Sequence, residues 1–100
     1  MAKNKQQIID EITAHIEKRG GAYPDWYVGI GTEARDLLFS DHKVQKKGDR
    51  WIHRRATSAK EACEVKDYFV STLAADGPRG KADADADAVY AYKKTSHTEP

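Results

Sequence analysis

Three short β-forming runs, each preceded by a segment of helical period, constrain this chain more than any other feature. Trp26, Tyr27, Val28, Gly29 and Ile30 follow Pro24 and end at Gly31; Arg50 to Arg55 enclose Trp51 and Ile52; Ala88, Val89, Tyr90, Ala91 and Tyr92 come last. Runs of five or six such residues, bounded by glycine and turn formers, read as strands. In the first run Trp26, Val28 and Ile30 share one face, and in the second Ile52 points away from Trp51 and His53, because side chains alternate along a strand.

The intervening segments have the period of helices. Ile8, Ile12 and Ile16 recur every four residues with Ile9 beside them, Asn4 offers an N-cap, and Gly20 with Gly21 ends the stripe. Thr32 offers a second hydroxyl cap, Glu33 suits a first turn, and Ala34, Leu37 and Leu38 predict a short helix to about His42. Ser58 and Glu61 have capping-box spacing, and Ala62, Val65, Phe69 and Leu73 form the buried stripe of a third helix. The expected class is α+β: a small three-stranded sheet with three helices, in the order α-β-α-β-α-β. One hundred residues hold one core, so residues 1–94 read as a single α+β domain and 95–100 as a flexible C-terminal tail. The Gly, Pro, Ala and Asp stretch from Ala74 to Asp87 reads as a long loop.

Composition excludes several classes. Apolar residues make up 39% of the chain and nine side chains are aromatic, enough for a core. No apolar run reaches the roughly 18 residues of a membrane span, and the start MAKNKQQ lacks the apolar centre of a signal peptide. A single cysteine, Cys63, forms no intrachain disulfide. The expectation is a soluble, cytoplasmic protein with neither a membrane nor a disulfide partner. His15, His42, His53 and His97 are not at metal-ligand spacing, which argues against zinc. Asp83, Asp85 and Asp87 begin like a calcium loop, but Ala88 and Lys94 stand where glycine and the bidentate glutamate are needed.

Seventeen Lys and Arg against sixteen Asp and Glu give a net charge of +1, so no global field selects a partner. Locally the balance differs. Between His42 and Arg55, six cations meet only Asp49, giving +5 over fourteen residues. Lys43, Lys46, Lys47, Arg50, Arg54 and Arg55 would meet phosphates while Trp51 and His53 supply rings for bases, the two terms that dominate single-strand binding. A solvated charged face is the plain alternative.

Tyr27-Val28-Gly29, a strand followed by a capped helix, resembles the second half of the signature of the GIY-YIG nuclease superfamily. Glu64, followed by Tyr68, Phe69 and Val70, is similar to that family's helix, in which a glutamate precedes aromatic and aliphatic residues by one turn. Ala88-Val89-Tyr90 has the character of the family's first strand but stands last, so residues 25 to 92 resemble a divergent, circularly permuted member. The resemblance implies metal-assisted phosphodiester hydrolysis. Glu64 would hold Mg²⁺ or Mn²⁺, Tyr27 and Tyr90 would help activate water, and Arg35 would stabilise phosphate charge. One carboxylate plus substrate phosphate can hold such a hard cation. Leu37 stands near the family's arginine position, however, and Arg35 comes two residues earlier, about 200° round a helix.

The resemblance therefore implies a nucleic-acid-binding domain of GIY-YIG nuclease-like fold with weakened or absent catalysis. The alternatives are an active divalent-metal-dependent endonuclease using Tyr27, Tyr90, Arg35 and Glu64, and a protein-interaction module with no nucleic-acid role. Without the resemblance, the tyrosines are strand aromatics and Glu64 is a solvated helix residue between Lys60 and Tyr68.

Overall fold

Asn4 closes both halves of a capping box at the head of α1 (Lys5–Arg19) in the computed structural model, which describes residues 3–20, 22–45, 49–77, 86–96 and 98. Its side chain accepts from the Gln7 N–H at 2.8 Å, and the Gln7 side chain accepts from the Asn4 N–H at 3.1 Å. Two donors that a helix start leaves orphaned are thereby satisfied. Ile8, Ile9, Ile12 and Ile16 are all buried, as their spacing requires. Gly20 ends the helix with φ 88°, a conformation that costs glycine little.

The chain continues through β1 (Trp26–Gly31), α2 (Ala34–Asp36), β2 (Trp51–Arg55), α3 (Ala59–Asp67) and β3 (Ala88–Lys93), the expected α+β order. The last strand in sequence is the middle one in space: the sheet order is β1-β3-β2, with both pairings antiparallel. Every residue from Ala88 to Tyr92 is buried, as a strand covered on both faces requires.

The two shorter helices end alike. Each widens into a turn closed by a bond to the fifth residue back, His42 N–H to Leu37 O at 2.9 Å and Leu73 N–H to Tyr68 O at 3.4 Å. Lys43 (φ 60°) and Ala74 (φ 63°) then turn left-handed, and Val44 and Ala75 donate to Leu38 O and Phe69 O, each at 2.9 Å. This is Schellman-type closure with residues other than glycine at the left-handed position.

Several local expectations are corrected. Glu33, not Thr32, occupies the cap position of α2, without a side-chain cap bond. Ser58 does cap α3, its hydroxyl accepting from the Glu61 N–H at 3.2 Å. The Glu61 carboxylate instead accepts from the Lys5 N–H at 2.9 Å and from the Thr57 hydroxyl, which ties α3 to the start of α1. Asp76, expected in a loop, borders β1: its carbonyl accepts from the Val28 N–H and its N–H donates to Trp26 O, both at 2.8 Å. In the segment expected to be a tail, Thr98 is buried, and its hydroxyl accepts from the Thr95 N–H at 2.9 Å and donates to Thr95 O at 3.1 Å. Asp83 and Asp85 lie outside the described residues.

The sheet separates two clusters. On one face, the isoleucines of α1 and Ala62, Val65 and Phe69 of the third helical segment pack on Trp26, Val28, Ile52, Val89 and Ala91. On the other, Ala34, Leu38 and Val44 pack on Ala88, Tyr90 and Tyr92, with Tyr27 and Trp51 beside them. Lys66 of α3 is also buried, at 1% exposure, with its ammonium 2.7 Å from the Asp67 carboxylate. Cys63 is a free thiol, and no helix among the described residues is long and apolar enough to cross a membrane.

Candidate nucleic-acid interface

The strand register lays out the second face of the sheet in three rows across β1, β3 and β2. The first row is Tyr27, Tyr92 and Trp51; the second is Gly29, Tyr90 and His53; the third is Gly31, Ala88 and Arg55. The rows pass from three aromatic side chains to none, and from no formal charge to an arginine.

At the aromatic end, Tyr27 stacks on Tyr92 at 5.3 Å between ring centroids and on Tyr90 at 6.3 Å. His42, delivered by the wide turn after α2, joins them 4.8 Å from the Tyr27 ring. Its Nε2 lies 2.7 Å from the Tyr90 hydroxyl and its Nδ1 3.1 Å from the Tyr92 hydroxyl, so one imidazole bridges two buried phenols. Gly29 makes room for this, since a Cβ there would stand 2.5 Å from the Tyr90 oxygen. Burial pushes the pKa of the Tyr90 and Tyr92 hydroxyls far above the ordinary phenol range. Burial also raises Tyr27, and the Asp76 carboxylate adds to that shift. All three phenols therefore stay protonated near neutral pH and act as hydrogen-bonding groups rather than as bases.

Beside the third row lies a cleft of about 330 Å³ reached past the small Ala88 side chain, while the Leu37 side chain fills the space over Gly31. Arg35 and Glu33 line it from the head of α2, and His53, Arg54 and Arg55 line it from β2. Arg35 is exposed, lies 5.9 Å over the Phe39 ring and makes no ion pair among the described residues. Arg55 is held by both Asp87 carboxylate oxygens, at 2.7 and 2.8 Å. Burial, then the charges of Arg35, Arg54 and Arg55, lower the His53 imidazole below its usual range, so it is neutral near pH 7. Among the described residues, the unpaired Arg35 guanidinium beside an uncharged ring, with Arg55 shared with Asp87 and with Glu33 opposing in the lining, gives the cleft a cation open to an anion.

The expected residues thus fall into separate groups. Tyr27 and Tyr90 come together, and Arg35 joins His53 and Arg55. Glu64 does not join either group. It is exposed on α3, which packs against the opposite face of the sheet, and its carboxylate lies 3.8 Å from the Lys5 ammonium. A Mg²⁺ or Mn²⁺ ion on Glu64 therefore does not fit a site shared with the tyrosines or Arg35. Among the described residues no three His, Cys, Asp or Glu side chains converge as a metal site.

Arg54 points toward α1, and its guanidinium is committed to Glu11 and to its neighbour's carbonyl, His53 O, at 2.7 Å. Lys43 is exposed at its left-handed turn, while Lys46 and Lys47 lie outside the described residues. Arg50 and Trp51 stand at the opposite end of β2 from Arg55; the Trp51 ring is parallel to His53 at 5.8 Å and meets Phe39 edge-on at 5.0 Å. Nothing in the spacing of His42 along the chain signals its bridging role, which depends on contacts with residues 48 and 50 positions away. Tyr92, two residues from Tyr90 and hence on the same strand face, carried a legible signal.

No protein-family model, curated protein or solved structure matches this chain.

Proposed function

We propose that this domain binds nucleic acid through the second face of its sheet, with Arg35 and Arg55 holding phosphates at the cleft and Trp51 with Phe39 meeting bases. The observation that carries this is the convergence of Arg35 with His53 and Arg55 from two separate elements around one open cleft. Guanidiniums bind phosphate in two-pronged fashion, and the partly exposed Trp51 and Phe39 rings lie along the same face toward the other end of β2, where they can stack on bases. The GIY-YIG-like reading rests on the antiparallel pairing of β1 with β3, which brings the two strands that resemble the family's signature side by side with Gly29 opposite Tyr90.

Cleavage is weakened or absent in this reading. The Glu64 carboxylate sits across the sheet from Tyr27 and Tyr90, and the phenols are held in their protonated form. The adjacency of Tyr27, His42 and Tyr90 favours retained cleavage as the second reading, with the phenols donating hydrogen bonds.

Fluorescence anisotropy with labelled single- and double-stranded oligonucleotides tests the proposal. At low salt the domain should bind, and affinity should fall as salt rises, with a logarithmic slope of about −1.4 for two phosphate contacts to a single strand. No binding at low salt would overturn it. Substrate loss on incubation with Mg²⁺ or Mn²⁺ would select the second reading.

A further inference from the structure

A second cleft lies at the other end of β2. His15 and Arg19 of α1 form one side, and Asp49, Arg50 and Trp51 at the entry to β2 form the other, around about 310 Å³. Arg19 and Arg50 are exposed and make no ion pair among the described residues. The Asp49 carboxylate accepts from the Gln45 N–H at 2.7 Å. The Nε2 of His15 is buried and has no hydrogen-bond partner among the described residues. Native folds satisfy such atoms with protein, water or ligand, so this nitrogen is a polar group in search of a partner beside two guanidiniums.

We propose, resting on the nucleic-acid reading of the first cleft, that the second cleft is another phosphate subsite and that the bound ligand is a single strand laid along the outer edge of β2 from Arg50 to Arg55, an edge that α1 flanks from one face of the sheet and α2 from the other. The dimensions fit. Five residue steps of a strand span about 17 Å, and a stacked single strand carries a phosphate about every 3.4 Å, so the two clefts bracket about five or six nucleotides. Between them, the parallel rings of Trp51 and His53 form a short platform. Stacking on such a platform needs bases with a free face, which a single strand offers and a duplex interior does not. Burial lowers the His15 imidazole from its usual range, with the Arg19, Arg54 and Lys18 charges adding to this; an anion in the cleft would offset those cations.

The test is fluorescence anisotropy with thymidine oligonucleotides of 3, 6 and 12 residues, a 12-residue uridine strand and a DNA hairpin of equal charge. It compares the wild-type domain with the R19Q/R50Q double variant and with R35Q, circular dichroism confirming that each is folded. Affinity should rise by more than tenfold from 3 to 6 nucleotides, level off by 12, and exceed that for the hairpin. R19Q/R50Q should weaken 6-residue binding about tenfold and lower its salt slope by about 1.4, while 3-residue binding falls by less than threefold. The two 12-residue strands differ in their sugar and base, and unequal affinities identify the preferred nucleic acid within the single-strand proposal. Unchanged 6-residue affinity in R19Q/R50Q, alongside weakened binding in R35Q, would overturn the second subsite and leave the first cleft standing. Tighter binding to the hairpin than to any single strand would overturn the single-strand assignment. No wild-type binding to any probe at low salt would remove the first reading and this one with it.

Discussion

The Tyr90 hydroxyl reaches His42 Nε2 at 2.7 Å by passing over Gly29, whose missing side chain is what lets strand and turn meet. A Cβ at position 29 would stand 2.5 Å from that oxygen and 2.6 Å from the ring carbon bearing it. Gly29→Ala should therefore cost about 1–3 kcal/mol, as overpacking of a close-packed site does. Tyr90→Phe leaves the ring carbon in place and should recover little of that cost, whereas in a Tyr90→Ala background the glycine substitution should cost less than half as much, the Tyr27 ring carbon 3.1 Å away being the contact that remains. A double-mutant cycle by urea denaturation measures this coupling, and additive costs would show that the contact is not the cause.

Ala74 adopts φ 63° after the wide turn that ends the third helical segment. A side chain is disfavoured there and glycine is not, so Ala74→Gly should stabilise the domain by about 0.5–1 kcal/mol despite glycine's greater freedom in the unfolded chain. Chemical denaturation reads the change directly, and a loss of stability would contradict the left-handed assignment.

Acid should destabilise the fold in two stages. His15 and His53 have folded-state values lowered from the usual 6.5, chiefly by burial, so the unfolded chain binds protons first. Their contribution is complete above about pH 6.5 and is lost as pH falls through the lowered values. Glu11 is lowered from 4.5 chiefly by its hydrogen bond with Arg54, and Glu61 chiefly by its bond with Thr57. Their contributions stand above 4.5 and disappear below it. Urea midpoints measured from pH 8 to pH 3 should fall first between about pH 7 and 5, and His15→Asn should flatten that step. A flat profile from pH 7 to 5 would contradict the burial of both rings.

Glu64→Ala should leave stability within about 0.5 kcal/mol of wild type, because its pairing with Lys5 is solvent-exposed and 3.8 Å long. Nucleic-acid affinity should be unchanged. Divalent-metal-dependent cleavage present in the wild type and lost in this variant would contradict the separation of Glu64 from the tyrosines.

What was legible in the chain was local. The isoleucine stripe of α1, the Asn4 and Ser58 caps and the stripe of the third helical segment depend on residues within a turn or two of each other, and each is found. The helix ends near His42 and Leu73 were legible too, but the left-handed turns at Lys43 and Ala74 were hidden because neither position carries the usual glycine. Sheet order was hidden for a different reason. Pairing Gly29 with Tyr90 joins residues sixty-one apart, and no short-range pattern specifies that β3 lies between β1 and β2. The same long-range pairing sets the three rows of the second face, and with them the meeting of Arg35 with His53 and Arg55. The placement of Glu64 across the sheet from the tyrosines was not legible, because motif spacing places a residue on a helix without saying which side of the sheet the helix will cover.

The most direct test of phosphate binding at the cleft compares the salt dependence of single-strand affinity in wild type and Arg35→Gln. Loss of one phosphate contact should lower affinity at every salt concentration and reduce the slope of log affinity against log salt by about 0.7. Equal affinities and equal slopes would show that Arg35, and with it the cleft it shares with His53 and Arg55, does not hold the nucleic acid.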